Sequence, residues 1–294
     1  MSVRRSLPQR GLPTVGAWCF LDRFGPQDVT MRVEPHPHMG LQTVTWPLSG
    51  EIRHRDTLGS DIVLRPGALN LMTSGEGIAH SEYSIGDVPT TLDALQLWVA
   101  LPERARHGAR GFETHTQLPR ITLDVGGEAI VVMGTLAGAT SPASTFTPIV
   151  GAEVTLSPGA NAAVPLNPDW EYALVGLEGE HEMFGNHSVG HPQADPTPGP
   201  ADGDLLYLGT GLSSVRLASR EGARLFLLGG EPFDDELVMW WNFVGRTHEE
   251  IIEAWKDWES RSERFGTVKG HGDRRIPAPP LPTVRLMPRA RNQA

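Results

Sequence analysis

The chain has 294 residues, 39% of them hydrophobic and 20% charged, enough to bury a large core without covalent staples. A formal net charge of −10 argues against a protein that tracks nucleic-acid phosphates, and the single cysteine, Cys19, excludes an internal disulfide and a cysteine-based zinc site. No apolar run reaches the roughly 18–20 residues of a membrane span. The basic start MSVRRSLPQRG has no apolar core of the signal-peptide kind, so a soluble, cytoplasmic protein is expected.

With 33 glycines and 25 prolines, many turns and few long helices are expected. An aromatic-rich segment, Gly16 to Gly25, reads as a short strand and turn. In Gln42 to Leu48, Val44, Trp46 and Leu48 share one parity and Thr43 and Thr45 the other, the alternation of a half-buried strand. Ser49-Gly50-Glu51 turns the chain, and Ile52 to Asp56 returns as its partner. Further short strands are predicted at Ile62–Leu64, Leu69–Met72 and Leu92–Leu101, separated by Gly- and Pro-containing breakers. A second series follows at Ala152–Leu156, Trp170–Leu177, Asp204–Leu208 and Arg224–Leu228. The phrase Ala173 to Glu180 echoes Thr43 to Glu51, which points to two β domains of one architecture. Thr247-His248-Glu249-Glu250 forms a capping box, and Ile251, Ile252, Trp255 and Trp258 fall at helical spacing. One amphipathic helix, Thr247 to Phe265, is therefore expected to pack on the barrels. The Pro- and Arg-rich stretch 270–294 should be extended or disordered.

The candidate chemistry lies between His36 and Glu82. His36-Pro37-His38 and His80-Ser81-Glu82 each place two ligand-type side chains two residues apart, hence on one side of an extended strand. Pro35 and Pro37 favour that extension. If the two strands meet, three imidazoles and a carboxylate converge, a set that suits Fe(II), Mn(II), Ni(II) or Zn(II). The plainer alternative is a polar surface loop with coincidental histidines.

These segments resemble the pirin family, a bicupin branch of the cupin superfamily. The resemblance rests on His36-Pro37-His38-x-Gly40, Leu48-Ser49-Gly50-Glu51-Ile52-x-His54-x-Asp56, Pro66-Gly67 and Met72-Thr73-x-Gly75-x-Gly77-Ile78-x-His80-Ser81-Glu82. Gly229-Gly230-Glu231-Pro232 and Thr247-x-Glu249-Glu250-Ile251 extend it toward the C-terminus. It implies an all-β fold of two tandem cupin-like antiparallel β-barrels (double-stranded β-helices) with a C-terminal α-helix. The expected divisions are an N-terminal metal-binding domain (1–135), a metal-free C-terminal domain (136–245), the helix (246–266) and the tail (267–294). It also implies one divalent metal, Fe(II) first and Mn, Ni, Co or Zn as substitutes, held by His36, His38, His80 and Glu82. The implied activity is that of a quercetin 2,3-dioxygenase, an oxidoreductase that opens a metal-chelated flavonol with O₂, with Glu82 as ligand and catalytic base. The alternative is a non-catalytic regulatory protein that binds a transcription factor or metabolic enzyme.

Three residues depart from the common family pattern: Met39, Gln42 and Trp46. Glu76 adds a negative charge beside the site, which would repel an anionic substrate if it faced the pocket. Gln42, His54 and Thr73 are candidates to orient the imidazoles. Met39, Trp46, Met72 and Trp98 either line a pocket or belong to the core, and Cys19 reads as a small buried apolar residue. In the second half no His-x-His occurs at Asn167 to Tyr172, and His181, His187 and His191 are expected to face solvent. The expected partner is a flavonol-like small molecule or a protein, with no nucleic acid or membrane, and the protein a monomer.

Overall fold

The computed structural model describes residues 1–187 and 197–289. Strands β1 (Val3–Leu7), β2 (Trp18–Val29), β3 (Arg32–His38), β4 (Leu41–Ser49) and β5 (Ile52–Asp56) open the chain. Next come β6 (Asp61–Leu64), β7 (Leu69–Thr73), β8 (Ile78–Ser84), β9 (Thr90–Ala100) and β10 (Gly111–His115). They form two antiparallel sheets, ordered β1-β2-β9-β4-β7-β10 and β3-β8-β5-β6.

The second series begins with β11 (Arg120–Thr122), β12 (Gly127–Leu136), β13 (Ala139–Thr140), β14 (Ile149–Leu156) and β15 (Ala160–Pro165). It continues with β16 (Glu171–Glu178), β17 (Glu182–His187), β18 (Thr197–Pro198), β19 (Leu205–Gly209), β20 (Leu212–Ser219) and β21 (Ala223–Gly230). Their sheets run β11-β12-β14-β21-β16-β19 and β15-β20-β17-β18. The order β2-β9-β4-β7 thus recurs as β14-β21-β16-β19, and β3-β8-β5-β6 as β15-β20-β17-β18. The repeat suspected from one short phrase extends through eight strands. Strands β11 and β12 pair into the second unit although both begin before residue 136, the division read from the sequence.

The two barrels meet through their large sheets. Val44, Trp46, Leu71 and Leu97 of the first share one buried cluster with Val132, Val175, Phe226 and Leu228 of the second. Each such aliphatic side chain removed from water contributes about 2 kcal/mol. Polar ties run through the same layer: Trp18 Nε1 donates to Val150 O (3.0 Å), Trp46 Nε1 to Glu153 Oε2 (2.7 Å) and Arg23 Nη1 to Leu177 O (2.7 Å). Gly151 is required here, because a Cβ would come within 2.9 Å of the Trp18 ring.

This corrects the reading of β4 as half-buried. Both of its faces are buried from Leu41 to Pro47. Val44 and Trp46 face the other barrel, while Thr43 and Thr45 face the interior of their own.

After β21 the chain returns to the first barrel. A hairpin, β22 (Val238–Trp240) and β23 (Phe243–Gly245), precedes α1 (His248–Glu259). Val244 N donates to Met39 O, and Gly40 (φ +73°) permits this approach, since a Cβ there would lie 2.0 Å from Val244 O. Thr247 caps α1 by accepting from Glu250 N, and Ile251, Ala254 and Trp258 form its buried stripe. The helix ends at Glu259, short of the expected Phe265, because Ser260 caps it and Arg261 turns left-handed (φ +57°). Phe265 still packs on Phe243 and Trp258, as part of the seal over the first barrel.

The tail, as far as residue 289, has no helix or strand and is docked: Ile276 N donates to Pro35 O, Trp258 Nε1 to Ile276 O and Trp255 Nε1 to Pro279 O. Among the described residues, no helix is long and apolar enough to cross a membrane.

Candidate metal centre

Strand β3 ends in His36-Pro37-His38, and its register with β8 sets His36 opposite His80. On the other side of β8, β5 sets His54 opposite Glu82. Alternation along β8 carries His80 and Glu82 to the same face. One ring nitrogen from each of His36, His38 and His80 lies within 4.8 Å of the other two, and the three residues are 7%, 2% and 1% exposed. Among the described residues this is the only such grouping of ligand-type side chains.

The surrounding hydrogen bonds determine which nitrogen of His36 and of His80 is free. His36 Nδ1 lies 3.0 Å from Glu34 O, an acceptor only, so Nδ1 carries hydrogen and Nε2 keeps its lone pair. His54 Nε2 lies 3.1 Å from Asp56 Oδ2, so His54 donates there and its Nδ1 accepts from His80 Nδ1 at 3.2 Å. His80 Nε2 is then a lone pair as well. It faces His38 Nε2 at 3.1 Å, close to the roughly 3 Å that separates two adjacent ligands on one metal with bonds of about 2.1 Å.

Burial lowers the His36 imidazole to about 4 and takes His38 and His80 well below their ordinary value, so all three are neutral bases. Neutral, converging and buried, they fit a divalent cation. Asp56 anchors the far end: its Oδ1 accepts from Leu58 N (2.9 Å) and Ser60 N (3.0 Å). Burial would raise this carboxyl, but the hydrogen bonds from His54 and Ser60 outweigh it and hold it below the ordinary range.

Glu82 is buried on the same interior face, with Thr45 Oγ1 3.5 Å from its Oε1. Its carboxylate stands outside the 4.8 Å group. Burial raises its pKa, against the opposing effects of His54 and the Thr45 hydroxyl. The walls are aromatic. Trp98 meets His38 edge-on at 5.2 Å and stacks on Phe20 at 4.0 Å, and Phe112 stacks on His54 at 4.4 Å. Met72 lies opposite both Thr43 and Phe112, on this inner face.

Of the three residues considered for orienting the imidazoles, only His54 does so. Gln42 shares the face of Val44 and Trp46; its Nε2 donates to Thr73 Oγ1 (3.0 Å) and Ser144 O (3.2 Å), away from the histidines. Thr73 shares that outer face. Met39 and Trp46 are core, Cys19 is fully buried with its thiol raised to about 12 by burial, and Glu76 is exposed.

Asp56 was not singled out, although His54-x-Asp56 has the same two-residue spacing as the ligand pairs. His271 was also missed. Its Nε2 lies 2.9 Å from Ser81 Oγ and its Nδ1 3.3 Å from Glu34 Oε2, which pins the tail behind the ligand strands. His181 is buried, not solvent-facing, because Gly199 closes against its ring. The side chain of His187 and all of His191 lie outside the described residues.

The same positions in the second barrel follow from register. Where β3 and β8 pair His36 with His80, β15 and β20 pair Val164 with Val215. Where β5 and β8 pair His54 with Glu82, β17 and β20 pair Met183 with Leu217. Leu166, two residues after Val164, takes the place of His38. The counterparts begin slightly before the Asn167–Tyr172 segment indicated by sequence spacing, and all are apolar.

Two family profiles match the chain: Pirin over residues 1–99 and the Pirin C-terminal cupin domain over residues 151–266. A Pseudomonas aeruginosa protein whose name assigns it provisionally as a quercetin 2,3-dioxygenase is 42% identical, with 96% of this chain and 86% of that protein covered. A pirin-like protein of Caulobacter vibrioides is 33% identical, with 88% of each covered. The crystal structure of a quercetin 2,3-dioxygenase from Acinetobacter baumannii superposes with a TM-score of 0.87 at 37% identity, over 97% of this chain and 92% of that one.

Proposed function

The chain belongs to the pirin family, and on that premise we propose that it is a metal-dependent oxidoreductase of the quercetin 2,3-dioxygenase type. The observation that carries this reading is the convergence of three neutral, buried imidazoles, with the tautomers of His36 and His80 fixed from behind. The names of the two most extensively matched relatives described above support the reaction type.

In this reading His36, His38 and His80 hold one divalent metal, Fe(II) first, and Glu82 supplies the fourth, anionic ligand. When bound, the metal supplies a Lewis-acid anchor for a flavonol and an electronic path to O₂. The protein's own part is binding and proton handling. Glu82 accepts the 3-hydroxyl proton of the flavonol, its nearest hydroxyl partner being Thr45. Trp98, Phe20 and Phe112 supply flat apolar walls around the imidazoles. The Asp56–His54 pair keeps His80 presenting its lone pair.

A second reading has one observation in its favour: the imidazoles are 1–7% exposed beneath a seal made by the C-terminal segment. Such burial suits a metal that serves structure in a protein that binds a transcription factor or metabolic enzyme. Oxygen uptake separates the two. Anaerobically Fe(II)-loaded protein, mixed with quercetin and then air, should consume O₂ and quercetin together, and His38→Ala should do neither while keeping its fold. Quercetin left intact by the metal-loaded protein would favour the second reading.

A further inference from the structure

We propose that the second barrel binds an uncharged, flat aromatic molecule of two or three rings in a cleft at its rim. This does not rest on the metal-centre reading. The cleft measures about 520 Å³, within the usual range for small-molecule sites, and Leu136, Thr140, Pro148, Leu166, Asn167 and Trp170 are among its walls.

Its position has a counterpart in the first barrel. The connection from β15 to β16, which carries Leu166, Asn167 and Trp170, corresponds to that from β3 to β4, which carries Met39 and Gly40. In the first barrel that rim is sealed: Val244 N bonds to Met39 O, and Phe243, Ile251, Trp258 and Phe265 pack beside Met39. Among the described residues there is one such sealing segment, and it lies on the first barrel. In the second, the described residues leave the equivalent rim as a cleft.

The walls define the ligand class. None of the residues lining the cleft carries a charge, so an ion entering it would lose water without gaining a partner. The interior beneath is apolar, with Val164, Val215 and Leu217 filling the positions that hold polar ligands in the first barrel. Trp170, half-buried, lies 6.4 Å from the stacked ring of Tyr172 and offers a planar surface. Two donors remain for an acceptor oxygen. Asn167 Oδ1 is taken by Asp169 N (3.0 Å), which leaves its amide NH₂, and the Tyr172 oxygen accepts from Asn167 N (2.8 Å), which leaves its hydroxyl hydrogen. A neutral aromatic with a carbonyl oxygen meets each of these features.

Coumarin is a suitable probe because it is neutral and bicyclic, has a carbonyl oxygen and is not a metal chelator. Full-length protein with labelled Ile, Leu and Val methyls is titrated with it and followed by NMR. Saturable shifts are expected at Leu136, Ile149 and Leu166. Trp170→Ala should weaken binding by about tenfold or more. Thr140→Trp, which fills the cleft and leaves its other walls in place, should do the same and covers the case in which Trp170→Ala fails to fold. Coumarin-3-carboxylate, the anion, should bind more weakly. The proposal is overturned by no saturable shift at these methyls, by shifts confined to the first barrel, or by affinity unchanged in Thr140→Trp.

Discussion

The two barrels share a strand order and differ in what fills them. Rung for rung, His36, His38, His54, His80 and Glu82 in the first stand where Val164, Leu166, Met183, Val215 and Leu217 stand in the second. The backbone provides the same converging geometry twice, and side-chain chemistry makes one copy a buried cluster of imidazoles and the other a packed apolar interior. Fold alone therefore does not specify the function of either barrel.

The largest expected effect comes from removing a ligand. His38→Ala should abolish saturable metal binding, because the apolar counterparts in the second barrel cannot substitute; metal analysis of the purified variant reads this directly. A metal still held at one per chain would break the comparison. Next, Val215→His should import a polar group into the dry second interior. Without the other polar partners it should cost about 2–4 kcal/mol, read as a lowered denaturation midpoint, and should not create a second site.

Asp56→Asn tests the support behind His80. The amide that replaces Oδ2 is a donor, which forces His54 to carry its hydrogen on Nδ1 and His80 to carry its own on Nε2. Metal affinity should fall by about 10- to 100-fold with the fold intact, measured by competition with a chelator.

In metal-free protein the buried histidines also set an acid limit. The unfolded chain takes up protons as pH falls through 6.5, whereas folded His36 does so only near 4. Unfolding free energy should therefore decline across that window as pH falls, by up to about 1.4 kcal/mol per pH unit for each such histidine. Denaturant titrations between pH 7 and pH 4 test the sign. The smallest effect expected is from His271→Ala, which unpins the tail from Ser81 and Glu34 at a cost of about 1–3 kcal/mol, measurable by thermal melting.

The clustering of the three histidines was legible in the sequence because alternation along a strand is a strong constraint. It assigned His36, His38 and His80 to one cluster and Glu82 to the same interior before any contact was known. The faces of the sheets were less legible. Thr43 and Thr45 look like a solvent-facing parity, yet they line a polar barrel interior, and the apolar parity of Val44 and Trp46 packs on a second barrel that no local pattern announces. Gln42 and Thr73 went to the wrong side for the same reason. Asp56 obeyed the spacing rule already applied to the ligands and was recoverable. The docking of His271 links positions 190 residues apart in sequence, and no periodicity records that contact.

The segment that seals the first barrel comes from the opposite end of the chain. During synthesis the ligand strands leave the ribosome early, whereas β22, β23, α1 and the tail emerge after the whole second barrel. The half made first is thus the last to be completed, and its histidines pass through a long interval with their rim uncovered. The imidazoles are reachable from solvent throughout that interval and lose this access when the C-terminal segment docks.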